Sequence, residues 1–230
     1  MKTLLLSSLA LAGLAIVACT SASSSKPTNA NPSVAAYQSF DIPAKLPSNP
    51  SAVRVKVSIK NQAAYVLEGN KPLLVMPVSV GTAKKPTPRG NFRIYAKTAK
   101  RRANGHGWAY NSAGQAKQVK RGGQPRGWKF TGTPMPYWCE FKPGYGFHTG
   151  WQKPYPCTHG CLRMHENVAP KFFRLISVGT PLNISYTQPE DATIGRNIPR
   201  AVDAGPLPDY PASMYIGDGY FSRHKTPTFN

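Results

Sequence analysis

A cysteine follows a glycine in the run Thr-His-Gly-Cys-Leu-Arg at positions 158–163, and His148 lies thirteen residues before that cysteine. A free thiol is only about 3% thiolate at pH 7, so an imidazole that takes its proton makes Cys161 a better nucleophile. The glycine allows the backbone N–H groups of Gly160 and Cys161 to converge on an oxyanion. This combination predicts acyl transfer through a thioester, with His148 as the base. The alternative is a buried structural cysteine beside two histidines that have their own hydrogen-bond partners.

Several stretches of the chain, together with this motif, resemble the L,D-transpeptidase catalytic-domain family, also called YkuD-like. The resemblance covers roughly residues 53 to 184 and implies a mainly β fold. The expected architecture is a sandwich or distorted barrel of mixed sheets, with one main helix after the catalytic cysteine. The stretches that carry the resemblance, besides His148 and the run 158–163, are Asn-Gln-Ala-Ala-Tyr-Val at 61–66, Val-Ser-Val-Gly at 78–81, Pro-Thr-Pro-Arg-Gly-Asn-Phe at 86–92, Met-Pro-Tyr-Trp at 135–138 and Val-Gly-Thr-Pro-Leu at 178–182.

The resemblance also implies roles for residues around the thiol. His148 is expected to be oriented by the backbone carbonyl of Thr149, because a carbonyl suffices to fix the imidazole tautomer. His159 is expected to support the turn and the oxyanion region. Arg163 either binds a substrate carboxylate or braces the loop through a bidentate contact. Further candidate substrate contacts are Thr158, Tyr137 and Trp138.

The family implies the stem peptide of peptidoglycan as the substrate, with no cofactor, and carbapenems as covalent inhibitors. Attack at the L-centre of the third residue expels the terminal D-amino acid and leaves a thioester. An amine of a second stem peptide then gives a cross-link, and the side-chain amine of a wall-attached lipoprotein gives anchoring. With water as acceptor, the same chemistry is that of an L,D-carboxypeptidase or amidase. The alternative that is not an enzyme is a lipoprotein that retains the fold and only binds the wall.

Histidines and cysteines near the motif also raise the possibility of a zinc site. The spacing Cys-x-His-x-Cys-x3-His differs from the usual pairs separated by two to four residues, so no metal is predicted. His165 is expected to face solvent at the start of a helix, and His106 and His224 receive no function. The four residues of this alternative are Cys157, His159, Cys161 and His165.

The N-terminus and the charge predict where the protein acts. Lys2 precedes an apolar stretch to Ala18, and Ile-Val-Ala-Cys at 16–19 resembles a bacterial lipobox, with Cys19 as the lipid acceptor. The chain carries 29 Lys and Arg against 9 Asp and Glu, a net charge of +20. Such a field favours polyanions. An exported protein excludes nucleic acid, so an acidic wall polymer is expected at an outer membrane, facing the periplasm.

Two cysteines remain once Cys19 and Cys161 are assigned. An oxidising compartment permits a disulfide between Cys139 and Cys157, which would close a loop of about eighteen residues and stabilise the fold by about 3 kcal/mol in the chain-entropy model. The alternative is two free thiols.

Changes in composition predict the domain boundaries. We expect a signal peptide at 1–18, a flexible Ser/Pro-rich tether at 19–50, the catalytic domain at 51–187 and a Pro/Gly-rich extension at 188–230. Residues 97–133 hold nine Lys and Arg and no acid, and predict a long basic loop that is either a lid or a solvated insertion. Apolar alternation predicts strands near 53–59, 65–67, 73–80, 92–95, 137–141, 146–148 and 180–186, and helical spacing predicts a helix at 167–177.

Overall fold

The structure, a computed structural model, describes residues 34–201, 210–223 and 226–230, and its strands form two five-stranded sheets. The leader, Cys19 and His224 lie outside these residues. None of the helices within the described ranges is long and apolar enough to cross a membrane. The strands are β1 (Val53–Ser58), β2 (Ala63–Glu68), β3 (Lys71–Pro77), β4 (Gly90–Arg93), β5 (Ala96–Tyr110), β6 (Ala116–Lys120), β7 (Lys129–Lys142), β8 (Tyr145–Thr149), β9 (Leu162–Met164) and β10 (Pro181–Ser185).

The first sheet has the order β3-β2-β1-β10-β4, and the second has the order β6-β5-β7-β8-β9. Each sheet is mixed, because β1 pairs with β10 in parallel and β8 pairs with β9 in parallel, whereas the other pairs are antiparallel. Val53, Val55 and Val57 alternate inward along β1, as the sequence predicts. The main core lies between the sheets and joins Val57 to Phe147 of the second sheet. The predicted mainly β fold of mixed sheets is confirmed.

The predicted helix is shorter than its apolar pattern suggests. It is α2 (Ala169–Leu175), and it buries Phe172 and Leu175 against the second sheet. Pro170 lies in its first turn, where a missing N–H costs no helical hydrogen bond.

The basic stretch is not an irregular loop, contrary to prediction. Residues 97–133 form a long ribbon, because β5 pairs with β6 near the tip and with β7 along its whole length. We call residues 97–133 the basic ribbon. Gly107 and Gly132 lie opposite each other where the register shifts, and a Cβ on either would clash with the facing backbone. The side chains of β5 are exposed or half-buried over much of its length, so apolar alternation could not signal the strand.

The predicted flexible tether is ordered from residue 34 onward. We call residues 34–44 the strap. It begins with helix α1 (Val34–Ser39), and its side chains Tyr37 and Ile42 are buried. The buried ammonium of Lys171 lies 2.8 Å from the Asp41 carboxylate and also donates to the Ile42 carbonyl. These contacts fix the strap to α2, so the segment belongs to the domain.

The extension after β10 also packs on the domain. Ile198 joins Tyr65 and Leu67 on the outer face of the first sheet. Farther on, helix α3 (Ala212–Ile216) places Tyr215 in contact with the basic ribbon, and Tyr220 is buried nearby.

Candidate active site

The parallel pairing of β8 with β9 brings the predicted nucleophile and base to one face of the second sheet. Phe147 is opposite Leu162 and His148 is opposite Arg163. Side chains alternate along a strand, so His148 and Arg163 share a face while Phe147 and Leu162 enter the core. Cys161 directly precedes β9 and projects to the same face as His148, where both line one cavity.

The turn before β9 is fixed by its own side chains. The Thr158 hydroxyl donates to the Cys161 carbonyl at 2.6 Å and accepts the Gly160 N–H at 3.1 Å. Gly160 has φ +105°, and a Cβ there would come within 2.5 Å of the Tyr145 ring. Only glycine fits this position without strain. The Thr158 N–H donates to the Val80 carbonyl at 3.0 Å. This bond attaches the turn to the segment that follows β3 of the first sheet.

The predicted oxyanion site needs a correction at Gly160. Its N–H is used inside the turn by Thr158, so it does not point to an empty oxyanion position. The Cys161 N–H has no hydrogen-bond partner among the described residues. Cys161 therefore supplies both the thiol and the available backbone donor.

The His148 imidazole is held in one tautomer. Its Nδ1 lies 2.7 Å from the Thr149 carbonyl, which can only accept, so Nδ1 carries the proton and Nε2 has the lone pair. This is the orientation that the resemblance implied. Burial, and then the nearby positive charge of Arg163, lowers the pKa of His148 to about 4, although the Thr149 hydrogen bond acts in the opposite direction.

The Cys161 thiol is protonated at neutral pH. Burial raises its pKa, and this effect outweighs the hydrogen bond from the Gly146 N–H and the positive charges of Arg163 and Arg101. The thiol lies 3.7 Å from the Gly144 carbonyl. The thiol and the His148 imidazole line the same cavity and both are neutral, so the proton has to leave the thiol during an attack by the sulfur.

Arg163 braces the loop that follows β8. Its guanidinium donates to the Trp151 carbonyl at 2.9 Å and approaches the Cys157 sulfur at 3.9 Å. A Cβ on Gly150 would lie 2.6 Å from Cδ of Arg163, so a larger residue here would displace the bracing side chain. The sequence left two roles open for Arg163, binding of a substrate carboxylate or bracing of the loop. Its contact with the Trp151 carbonyl supports the bracing role.

His159 lies at the mouth of the cavity rather than beneath the turn. Its exposed ring stacks on His106 of the basic ribbon, with ring centroids 5.6 Å apart and planes 18° apart. His106, which received no function from the sequence, therefore contacts the motif across the cleft.

Tyr137 and Trp138 separate, although they are adjacent in the sequence. Tyr137 has φ +57° and packs on Phe173, away from the cavity, which contradicts its prediction as a substrate contact. Trp138 is 1% exposed and lies 6.1 Å from His148 between ring centroids. It lines the cavity, and its predicted contact with the substrate stays a prediction.

The predicted disulfide is absent, because Cys139 and Cys157 are both free thiols. Cys139 is on the core face of β7, beside Phe147, and burial raises its pKa to about 12. Cys157 lies in the loop braced by Arg163. The two side chains therefore occupy different environments on either side of the sheet.

The prediction that His165 faces solvent is also wrong. His165 is 1% exposed, and its Nε2 lies 2.8 Å from the Tyr37 carbonyl of the strap. Its Nδ1 accepts the Asn167 N–H, and burial lowers its pKa to about 4. Within the described residues, no three His, Cys, Asp or Glu side chains are grouped as metal ligands.

The cavity has a volume of about 560 Å³ and is built partly from residues that the sequence did not indicate. Trp108 of the basic ribbon stacks on Tyr215 of the extension at 5.3 Å, and Arg102 donates to the carbonyls of Tyr215 and Gly217. The extension thus forms one wall of the cavity. No Asp or Glu is among the described residues that line it. The cavity side chains Arg101, His106 and Trp108 belong to the basic stretch, for which a lid was one of the two predicted alternatives. The side chains that the sequence did not indicate are Trp151, Tyr215 and Tyr220.

The fold and this cysteine–histidine pair agree with one family of catalytic domains. The chain belongs to the YkuD family, the L,D-transpeptidase catalytic domain, which it matches over residues 52–184. No curated protein matches the chain.

Solved structures similar to this chain are L,D-transpeptidases. One, from Mycobacterium smegmatis, is 22% identical with a TM-score of 0.44, and the match covers 58% of each chain. One from Stackebrandtia nassauensis is 19% identical with a TM-score of 0.43, and covers 64% of this chain and 60% of that one. The catalytic domain from Enterococcus faecium is 23% identical with a TM-score of 0.42, and covers 58% of this chain and 96% of that one. The chain thus spans about 60% of the length of the first two.

The protonated thiol predicts how Cys161 reacts with iodoacetamide. Because burial raises its pKa, alkylation should be slow at pH 7 and should rise about tenfold per pH unit to beyond pH 8.5, the ordinary thiol value. Replacing His148 with Gln should leave this profile nearly unchanged. Peptide mass spectrometry at Cys161 gives the rates. A rate plateau between pH 5 and 7 that disappears in His148→Gln would reveal a thiolate–imidazolium pair instead.

The wall formed by the extension predicts a change in access to the thiol. Tyr215→Ala removes the ring that stacks on Trp108, and such pairs contribute about 0.5–1.5 kcal/mol. We expect a bulky maleimide to modify Cys161 severalfold faster in this variant, with a smaller change for iodoacetamide. Tyr215→Phe keeps the ring and should match the wild type. Equal maleimide rates in all three proteins would show that the extension does not cover the cavity.

Proposed function

We propose that this protein is a cysteine-dependent L,D-transpeptidase that acts on peptidoglycan stem peptides through a thioester acyl-enzyme. The observation that carries the proposal is the placement of Cys161 and the oriented His148 on one face of the second sheet, in a cavity lined by cations and by no acid. Stem peptides carry several carboxylates, and such a cavity attracts anions.

The first half-reaction is an acyl transfer to sulfur. As the sulfur attacks the carbonyl at the L-centre of the third residue, the thiol proton passes to Nε2 of His148. The Cys161 N–H hydrogen-bonds the resulting oxyanion. The tetrahedral intermediate collapses, the C–N bond breaks, and the amine of the terminal D-amino acid leaves with the proton held by His148. The thioester remains on Cys161.

The low pKa of His148 suits the second part of this step. An imidazole with a pKa of about 4 is a weak base but, once protonated, a strong acid toward the departing amine. Because the base is neutral above about pH 4, acylation should persist in mildly acidic solution and fall as pH drops through 4.

The second half-reaction returns the acyl group to an acceptor. An amine gives up a proton to His148 as it attacks the thioester, and the thiol is re-formed. A stem-peptide amine yields a cross-link, and the amine of a wall-attached lipoprotein yields an anchored protein. Water as the acceptor makes the same site an L,D-carboxypeptidase.

We further propose that lipid on Cys19 holds the protein at the outer membrane, facing the periplasm. The net charge of +20 supports an acidic polymer as the partner there.

The test of the proposed reaction is incubation with purified muropeptides, followed by mass spectrometry of the products. Wild-type protein should form cross-linked dimers between third residues and a transient acyl adduct on Cys161. Cys161→Ala should abolish both, and His148→Ala should slow adduct formation by about 10²-fold or more. Shortened peptides without dimers would identify water as the acceptor, and wild-type rates in Cys161→Ala would exclude the proposed nucleophile.

The basic ribbon predicts salt-sensitive binding to the wall polymer. Exposed charges are screened over about 8 Å at physiological salt, so attraction should weaken as ionic strength rises. Replacing three exposed ribbon lysines, Lys117, Lys120 and Lys129, with Gln should weaken sacculus binding and flatten its salt dependence. The control replaces Lys45, Lys60 and Lys71, which are exposed elsewhere. An equal effect from both triple variants would mean that net charge alone, not the ribbon, determines binding.

A further inference from the structure

Arg101 of the basic ribbon lies on β5 and lines the cavity. Its side chain is 30% exposed and lines the same cavity as Cys161 and His148. Its positive charge acts on the thiol, because Arg101 is among the groups that lower the pKa of Cys161 against the larger effect of burial. Neither the reaction mechanism nor the fold described above uses this guanidinium.

The guanidinium is positioned by contacts that leave its N–H groups available. It lies over the Trp138 ring at 4.5 Å, a cation–π distance. Its nearest carboxylate oxygen, on Glu140, is 3.9 Å away and so beyond hydrogen-bond distance. The Glu140 carboxylate instead accepts the Trp138 indole N–H at 3.1 Å and the Gly144 N–H at 2.9 Å. Arg101 makes no hydrogen bond to any residue that the structure describes.

The neighbouring arginines are occupied by the protein itself. Arg163 donates to the Trp151 carbonyl, and Arg102 donates to the carbonyls of Tyr215 and Gly217. Both fix chain segments around the cavity. Of these three arginines, Arg101 alone makes no hydrogen bond to the described residues, and its ion pair with Glu140 is long at 3.9 Å. A substrate carboxylate matches its planar fork of donors with two parallel hydrogen bonds.

We propose that Arg101, supported by the face of Trp138, forms a carboxylate-binding subsite that selects and positions the peptide substrate beside Cys161. This inference rests on the proposed function. Two carboxylates of a stem peptide have the required chemistry: the α-carboxylate of the terminal D-residue and the carboxylate of the diamino residue. Both lie within one residue of the carbonyl that the thiol attacks.

The subsite gives a functional role to Arg101, a ribbon residue that lines the cavity together with Cys161. A half-buried guanidinium discriminates between a carboxylate and an amide, because the amide offers one acceptor and no charge. A charge-assisted pair of this kind changes binding by about ten- to a hundredfold. Loss of the subsite should therefore raise KM for the correct peptide more than it lowers kcat.

The experiment compares three donor peptides: the free acid, the C-terminal amide and the peptide amidated on the diamino residue. Each is tested with wild type, Arg101→Gln, Arg101→Lys and the control Lys100→Gln. Lys100 is the exposed neighbour on the same strand and does not line the cavity. In wild type and the control, one amidation should reduce kcat/KM by about tenfold or more. In Arg101→Gln that amidation should have little effect, and Arg101→Lys should fall between.

The affected peptide identifies which carboxylate binds. If the amidation that impairs wild type costs Arg101→Gln as much, or if neither amidation impairs wild type, the subsite proposal is wrong. If wild type turns over none of the three peptides, the proposed function fails first, and the two failures are thus distinguished. Melting temperature and iodoacetamide alkylation of Cys161 monitor folding and thiol reactivity in each variant. If Arg101→Gln does not fold, the comparison of Arg101→Lys with wild type decides: equal discrimination between acid and amide would overturn the proposal.

Discussion

The parallel pairing of β8 with β9 is the constraint on which the rest of the site depends. It places His148 opposite Arg163 and leaves Cys161 at the entrance of β9, on the same face. A shift of one residue would turn His148 into the core and Phe147 into the cavity. The register is secured from both sides: Phe147 and Leu162 are fully buried between the sheets, and Ser79 pairs with Arg163 across the cleft. The chemistry is therefore positioned by the hydrophobic core.

Burial also decides the charge state of the site. The same desolvation that raises the pKa of Cys161 lowers that of His148, so the resting pair is neutral. Separating charge in this environment is costly, and the surrounding arginines and backbone donors offset that cost once a substrate carbonyl takes on negative charge. Arg163 has two effects, since it braces the loop after β8 and its field disfavours an imidazolium at His148. Because burial raises the pKa of Cys161, the resting site holds little thiolate at neutral pH.

Sequence reasoning predicted the parts of the molecule that have a local signal. Valine alternation located β1, and the Thr-His-Gly-Cys run with His148 located the chemistry. The basic ribbon was missed because its strands are polar on both faces and depend on pairing with β7 rather than on burial. The contact of Trp108 with Tyr215 joins residues more than a hundred positions apart, which no local pattern can indicate. For the same reason, the sequence could not place His165 beneath the strap or Cys139 in the core.

In the resting site, the His148 imidazole is neutral with its proton on Nδ1, and the thiol of Cys161 is neutral as well. Nitrogen NMR of histidine-labelled protein measures the state of the imidazole directly, with His148→Gln used to assign the signal. We expect an Nδ1–H tautomer at neutral pH that becomes protonated only near pH 4, because burial lowers the pKa of His148 to that value. A doubly protonated His148 at pH 7, lost on alkylation of Cys161, would instead establish a resting thiolate–imidazolium pair.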